Sequence, residues 1–412
     1  MNKKTMLVLE VGESRVVLAE FLRGRLEWPT LLKYKIADIS QDTNLVTCIR
    51  AMAEDMQVNP KDIYLLSFPA SISWSRFIKL PPVTPDRMHN IVRYEAEQNI
   101  PFPLDEVVWD SQMVEICKSR YDKEVHTLLI GAKKRSVELI TDALAELGSY
   151  PFFVETSSMS LVSSVAKVLP VDNGGTSLVI DVRERETNLV FVEGDDANGI
   201  TKCHFKTIHR GAGDPEIKKE IKDTSFRGPG SSFAMGFGAT ASGVFRQGLG
   251  TFDEDLKLAE LVDLDSAPDA KAKFFAAEIK RSINYCRSSV PMDAPSRVFL
   301  TGDFAKIQHF EEEVGKVAKA PIQELQVASS LAKRENLPDL DNDLPHLNVV
   351  CGLAMRPNYG SGWIANLLPD SVVKNRKSKR LKRLMFRYVI PIAASLIVSI
   401  GGWFVFNFIA HY

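Results

Sequence analysis

One pattern of apolar and polar positions occurs twice in this chain: an apolar run ending in an acidic residue and valine, a few small or polar residues, then a second apolar run. The first copy is Leu7-Val8-Leu9-Glu10-Val11 followed by Arg15 to Phe21. The second is Leu178-Val179-Ile180-Asp181-Val182 followed by Thr187 to Val192. Each predicts a strand, a tight turn and a second strand. The recurrence predicts an α/β protein of two lobes built on one plan, residues 1–172 with an inserted subdomain and residues 173–360.

Mixed strand and helix patterns follow each hairpin. Pro85 to Asn99 reads as a helix, with Met88, Ile91, Val92 and Ala96 on one face and Arg87, Glu95 and Glu97 elsewhere. Pro101-Phe102-Pro103 stops it, because proline lacks the amide donor and disfavours helix in the residue before it. Val125 to Ala132 predicts a strand, and Ser136 to Leu147 an amphipathic helix ended by Gly148. In the second lobe Asp269 to Arg287 predicts a long helix and Arg297 to Thr301 a strand. Gly302 then turns the chain toward a helix near Ile307 to Ala318. The tract Gly228 to Gly250 holds seven glycines in 23 residues and reads as a loop. Gly236-Phe237-Gly238-Ala239-Thr240-Ala241 inside it matches a dinucleotide pattern only on paper, since no strand precedes it.

The pattern changes at the C-terminal end. Tyr388 to Ala410 contains no charged residue, and Lys374 to Arg387 contains eight Lys/Arg and no acid. At about 1.5 Å per helical residue the apolar stretch is long enough for a hydrocarbon core of about 30 Å, so a single transmembrane helix is expected over 388–410. Basic residues beside a span stay on the cytoplasmic side, which places the body in the cytoplasm. The start of the chain reads directly into a strand rather than into a signal peptide.

Composition sharpens this picture. The 412 residues are 45 % hydrophobic and 25 % charged, enough for one large core or two lobes. The net charge is −1, so removing the eight basic residues of the flank leaves −9 on the rest. An acidic body argues against nucleic acid as a partner, and the basic flank suits anionic lipid. The five cysteines, Cys48, Cys117, Cys203, Cys286 and Cys351, are scattered without metal-site spacing and read as reduced thiols. No metal site is expected.

Two hairpins, each with an acidic residue closing its first strand, resemble the actin-like ATPase fold. The segment Tyr94-Glu95-Ala96-Glu97-Gln98-Asn99-Ile100-Pro101-Phe102-Pro103-Leu104-Asp105-Glu106-Val107 resembles the signature of the PilM family of type IV pilus assembly. Ala143-Leu144 through Gly148, Ala277-Glu278-Ile279-Lys280-Arg281-Ser282 and Cys351-Gly352-Leu353-Ala354-Met355-Arg356 extend that resemblance over about residues 5 to 357. Beyond it, Asn366-Leu367-Leu368-Pro369 resembles the cytoplasmic motif of PilN, again followed by a basic stretch and a span. The resemblance implies a scaffold of the inner-membrane assembly complex that links a cytoplasmic motor ATPase to PilN/PilO-like membrane proteins. It also implies a PilN-like motif and basic juxtamembrane linker over 361–387, with Asn366, Leu367, Leu368 and Pro369 as the partner-binding residues.

For the cleft, the resemblance implies Mg-ATP held by Glu10, Gly12, Ser14, Asp181, Thr187, Lys280 and Gly302. The chain departs from that pattern in three places. Val17 stands where the first hairpin expects lysine, Arg183 where the second expects glycine, and Leu300-Thr301-Gly302-Asp303-Phe304-Ala305 keeps one glycine of a glycine-rich turn. A side chain at a position of close backbone approach obstructs phosphate, although an arginine can bind phosphate itself. The expectation is weak nucleotide binding and no efficient hydrolysis, hence no catalytic residues.

Other chemistry is not expected. His309 and Glu312 have H-x-x-E spacing without a third ligand and read as an exposed helix face. Asp253-Glu254-Asp255 reads as a solvated helix start. Two rival readings stand beside the scaffold: a type II secretion scaffold of the GspL kind, and an active actin-like ATPase.

Overall fold

β1 (Thr5–Val11) is buried along almost its whole length, which is why its sequence is a continuous apolar run rather than an alternation. It is the middle strand of a five-stranded sheet. In this computed structural model the described residues are 5–23, 28–40, 43–81, 85–100, 102–118, 123–168, 175–195, 199–214, 269–290, 292–331, 337, 340–356, 365–384 and 390–411. The chain divides into two units, Met1–Leu367 and Leu368–Tyr412.

Within the first unit β1 pairs antiparallel with β2 (Arg15–Leu22), and β2 with β3 (Thr30–Asp38). Helix α1 (Leu45–Asp55) leads to β4 (Ile63–Phe68), which pairs parallel with β1. A three-stranded excursion follows, made of β5 (Ser73–Leu80), helix α2 (Pro85–Asn99), β6 (Val107–Lys118) and β7 (Lys123–Lys133) in the order β5-β7-β6. Helix α3 (Lys134–Glu146) returns the chain to β8 (Phe153–Thr156), so the first sheet has the order β3-β2-β1-β4-β8.

Helix α4 (Ser157–Val168) then leads to the second sheet. β9 (Thr176–Val182), β10 (Thr187–Asp195) and β11 (Gly199–Ile208) form the antiparallel part. After helix α5 (Ala270–Ser289), β12 (Pro295–Gly302) pairs parallel with β9. Helix α6 (Phe310–Ala318) precedes β13 (Ile322–Glu324), giving the order β11-β10-β9-β12-β13. The second sheet thus copies the first in order and in strand direction, so the repeat read from two hairpins extends to five strands each.

Helix α7 (Val327–Leu331) and helix α8 (Leu340–Met355) complete this unit. α8 packs on α4 and touches β1, β4 and β12, while α4 touches β4, β8 and β10, so this helix pair lies between the sheets. The crossing is close because Gly352 has no side chain: a Cβ there would stand 1.9 Å from the Ser160 carbonyl oxygen. Asn348, fully buried on α8, ties the elements together. Its amide donates to Thr301 Oγ1 (2.8 Å) and to the Leu325 carbonyl (2.7 Å), and its Oδ1 accepts from the Val327 amide (3.1 Å).

The expected helices form with small shifts. α2 buries Val92 and Ala96 with Ile78, Leu80, Val125 and Leu129, as its apolar face requires, and Met88 and Ile91 pack beside them. α3 begins at Lys134 rather than Ser136 and ends at Gly148, whose φ of 77° is the left-handed cap glycine allows. α6 starts at Phe310, not Ile307. The short helical turn Phe304–Lys306 intervenes, and His309 at φ 60° breaks continuity with it. Cys203, Cys286 and Cys351 are buried free thiols, and Cys48 is partly buried.

The second unit contains helix α9 (Asp370–Leu384) and helix α10 (Ile390–His411). The basic stretch expected as a linker is therefore mainly helical. Among the described residues no helix is long and apolar enough to cross a membrane, so the expected span over 388–410 has no structural support. In α10 the described side chains are confined to 395–403 and 405–407, shorter than a span. The tract Gly228 to Gly250 with its glycine motif, Asp253-Glu254-Asp255 and residues 361–364 lie outside the described residues.

Candidate functional site

The two hairpin turns meet in a narrow cleft. Glu10 and Asp181 each lie one residue from the end of β1 and β9, the same place in the two copies of the sheet; both are buried. Gly12 donates its amide across the first turn to the Arg15 carbonyl (2.7 Å), and a Cβ at that position would stand 2.8 Å from the same oxygen. The second turn is closed by the Arg183 amide on the Glu186 carbonyl (2.8 Å). The Ala212 and Gly213 amides bind the Arg183 and Glu184 carbonyls from behind (2.7 and 2.9 Å).

The Arg183 side chain fills the space between the turns. Its Nε donates to both oxygens of Asp181 (2.8 Å each), and Nη1 lies 3.1 Å from Glu10 Oε1. Burial would lower the guanidinium's pKa, but Asp181 and then Glu10 outweigh it and hold it above the ordinary value. Glu10 is pushed up to about 7 by burial, which Arg183 only partly offsets. Its Oε2 is buried without a hydrogen-bond partner among the described residues, as a protonated acid tolerates better than a carboxylate. Glu186, also pushed up to about 7 by burial and then by Glu13, accepts the Ser71 amide (2.8 Å) and the Asn188 side-chain amide (3.2 Å). The Ser71 hydroxyl donates to Glu13.

The cleft left beside Arg183 has a volume of about 20 Å³ and is lined by Glu10, Gly12, Ser14, Ser157, Arg183 and Glu186, among others. Ligand pockets run to roughly 300–1,000 Å³, whereas one water needs about 10–15 Å³. The space left at the turns is thus far smaller than a ligand pocket.

The structure brings together most residues expected at the cleft. Glu10, Gly12 and Ser14 line it, with Asp181 behind Arg183. Gly302, at φ 80°, lies against Asp181 and Val182: a Cβ there would stand 2.1 Å from the Val182 carbonyl oxygen. Thr187 is turned inward, its hydroxyl donating to the Arg210 carbonyl (2.9 Å). Lys280 is exposed on α5 and is not among the residues lining the cleft. Val17, in the lysine position, is fully buried in β2. His309 and Glu312 lie 3.5 Å apart on an exposed helix start, and no metal-binding cluster exists among the described residues.

Pattern reading missed a second cation. Arg15 leaves the first turn in another direction, to Asp38 (3.1 Å), to Nδ1 of His346 (2.7 Å) and, at 3.8 Å, to Asp303. Burial, then Arg15 and Arg183, depress His346 to about 4, so it is neutral and can accept that bond. Lys306 adds an ion pair to Asp303 (3.0 Å) and another to Glu184 (3.3 Å). His346 lies 331 residues from Arg15 in the sequence, and no local spacing announces that pairing.

A second constellation sits at the β8 edge of the first sheet. The Leu367 amide donates to the Val154 carbonyl (2.8 Å), and Asn366 Oδ1 accepts the Val154 amide (3.0 Å). The Asn366 amide donates to Asp110 of β6 (2.9 Å). Ala365 and Leu367 are buried. Residues 365–367 therefore extend the sheet edge, with the asparagine side chain standing in for a backbone carbonyl. Beside them Arg356 Nη2 pairs with the fully buried Glu155 (2.7 Å), which also accepts the Ser160 hydroxyl (2.6 Å).

The family described as type IV pilus assembly protein PilM matches residues 17–197. Among solved structures, the PilM–PilN type IV pilus biogenesis complex matches at 18 % identity and TM-score 0.62, covering 86 % of this chain and 98 % of that one. The cytoplasmic domain of EpsL, an inner-membrane component of the type II secretion system of Vibrio cholerae, matches at 11 % identity and TM-score 0.33. That match covers 55 % of this chain and 79 % of EpsL's. A Bacteroides thetaiotaomicron protein of actin-like ATPase fold and unknown function matches at 7 % identity and TM-score 0.42, covering 85 % and 96 %. Residues 17–197 are thus similar to the PilM family, and the α/β body shares the fold of the PilM–PilN complex structure.

Proposed function

We propose that this chain is a cytoplasmic-face scaffold of the type IV pilus inner-membrane assembly complex that carries its own PilN-like tail. The observation that carries the reading is the tail contact: Asn366 and Leu367 of the PilN-like segment lie on the β8 edge of a PilM-like body, bonded through Val154 and Asp110. Asn366 supplies the backbone bond and Leu367 the buried apolar side chain, the roles expected of a docking motif. The arrangement favours docking within one molecule, with PilN/PilO-like proteins and a motor ATPase as the further partners.

The membrane span belongs to the same proposal. α10 would supply it: from Ile390 to Ala410 it has no charged residue, and Leu396, Ile397, Val398, Ile400, Trp403, Val405 and Phe406 are exposed. Such exposed apolar side chains are suited to lipid rather than water. The basic α9 before it favours a cytoplasmic body. The filled cleft supports a protein that does not turn over nucleotide and binds Mg-ATP weakly at most.

Deletion of the gene, complemented by the full chain or by a chain ending at residue 364, tests this. Surface pili should disappear on deletion, return with the full chain and stay absent with the shortened one. Normal piliation without the gene would sink the reading. Phosphate release by the purified chain should stay at background, and turnover near 1 per second, an ordinary enzyme rate, would overturn the nucleotide half.

A further inference from the structure

Glu10 and Asp181 come from different sheets, are both buried, and converge on one guanidinium. Two buried carboxyl groups facing one point cannot both ionise without a cation between them. A closed arrangement that keeps both groups ionised therefore needs positive charge at that point. Arg183 brings it from within the chain.

We propose that Arg183 is an internal clamp that takes the place of a divalent cation, holding the β1–β2 and β9–β10 turns together without any bound ligand. Three observations converge on it. Nε and Nη1 of one side chain bridge the carboxyls of both sheets. The Glu186–Ser71 bond fastens the same second turn to the segment after β4, so the Ser71 amide reports on closure. Arg183 itself lines the small cleft that remains between the turns. The charged groups acting on Arg183 are Asp181, Glu10 and Glu186, Arg183 in turn depresses His346, and Glu13, Arg15 and Arg185 line the same cleft. The proposal rests on this geometry and not on a role in pili.

Removing the arginine should convert a self-closed cleft into one that depends on metal. In the full chain held in detergent, Arg183→Ala should melt several degrees below the parent and exchange its Ser71 amide at least tenfold faster. Millimolar MgCl₂ alone should recover much of both losses while leaving the parent unchanged. Arg183→Lys, which keeps a cation, should fall between them. Ser71 exchange in Arg183→Ala as slow as in the parent, or equal responses of parent and variant to Mg²⁺, would overturn the clamp. If Arg183→Ala does not fold, the neutral set Arg183→Met, Glu10→Gln, Asp181→Asn must fold, since it has no charge to cancel. Its failure would equally overturn the proposal.

Discussion

At the scale of single residues, Glu10 gives the sharpest measurable consequence. Its pKa is raised from the ordinary 4.5 to about 7 in the folded chain, chiefly through burial. The folded state then binds more protons than the unfolded state between those values, so stability falls as pH rises. The contribution is fully present below about pH 4.5 and is lost by about pH 7. His346 works in the opposite sense: depressed from 6.5 to about 4, it adds stability as pH rises through that range. Glu10→Gln isolates the first effect. Its melting temperature relative to the parent should climb between pH 5 and pH 8, and parallel melting curves would refute the assignment. Asn348 makes a separate case. Replacing it with alanine leaves the buried Val327 amide and Leu325 carbonyl without this partner, at about 1–3 kcal/mol each. Urea unfolding of Asn348→Ala should show a loss of roughly 2–4 kcal/mol. Glu10 and Asp181 were legible in the sequence because each ends an apolar run. Arg15, Glu186, Asp303 and His346 were not, since their meaning depends on contacts between distant segments.

Elements show the same division. α2 and its buried face followed directly from periodicity, and the cap of α3 from Gly148. α6 was placed three residues early because apolar spacing does not reveal a left-handed histidine between two short helices. β8 has only four residues, and the reason it carries weight lies elsewhere in the chain: it is the edge on which residues 365–367 lie. Cutting that contact should expose the edge. Leu367→Ala removes a buried leucine side chain, a change that typically costs about 2–5 kcal/mol when the site cannot collapse. Asn366→Ala removes the acceptor for the Val154 amide. Hydrogen exchange at Val154 should accelerate in both variants, while amides of β9 and β10 in the other sheet stay as protected as before. Unchanged protection of Val154 in both would mean that the tail does not hold this edge. At the α4–α8 crossing, Gly352→Ala sets a methyl group against the Ser160 carbonyl and should lower stability at least as much as ordinary overpacking, about 1–3 kcal/mol.

On the scale of the whole molecule, the internal repeat was the most legible feature, because doubling of a sheet leaves two copies of one apolar pattern. What the repeat could not convey is how the cleft between the copies is closed, which depends on one arginine at a turn. The C-terminal unit poses the last question. The scaffold reading assigns the membrane span to α10, 22 residues long, although among the described residues no helix is long and apolar enough to cross a membrane. Exposed Ile397, Val398 and Phe406 would be unfavourable in water and favourable in lipid. In that reading the basic run from Lys374, which precedes the helix, would face an anionic cytoplasmic leaflet, so the two features favour one orientation. The full chain should stay in the membrane fraction through alkaline carbonate washing, and a chain ending at Leu384 should be released. Retention of the shortened chain would show that something other than α10 anchors the body. Release of the full chain would remove the span from the scaffold reading while leaving the β8 contact intact.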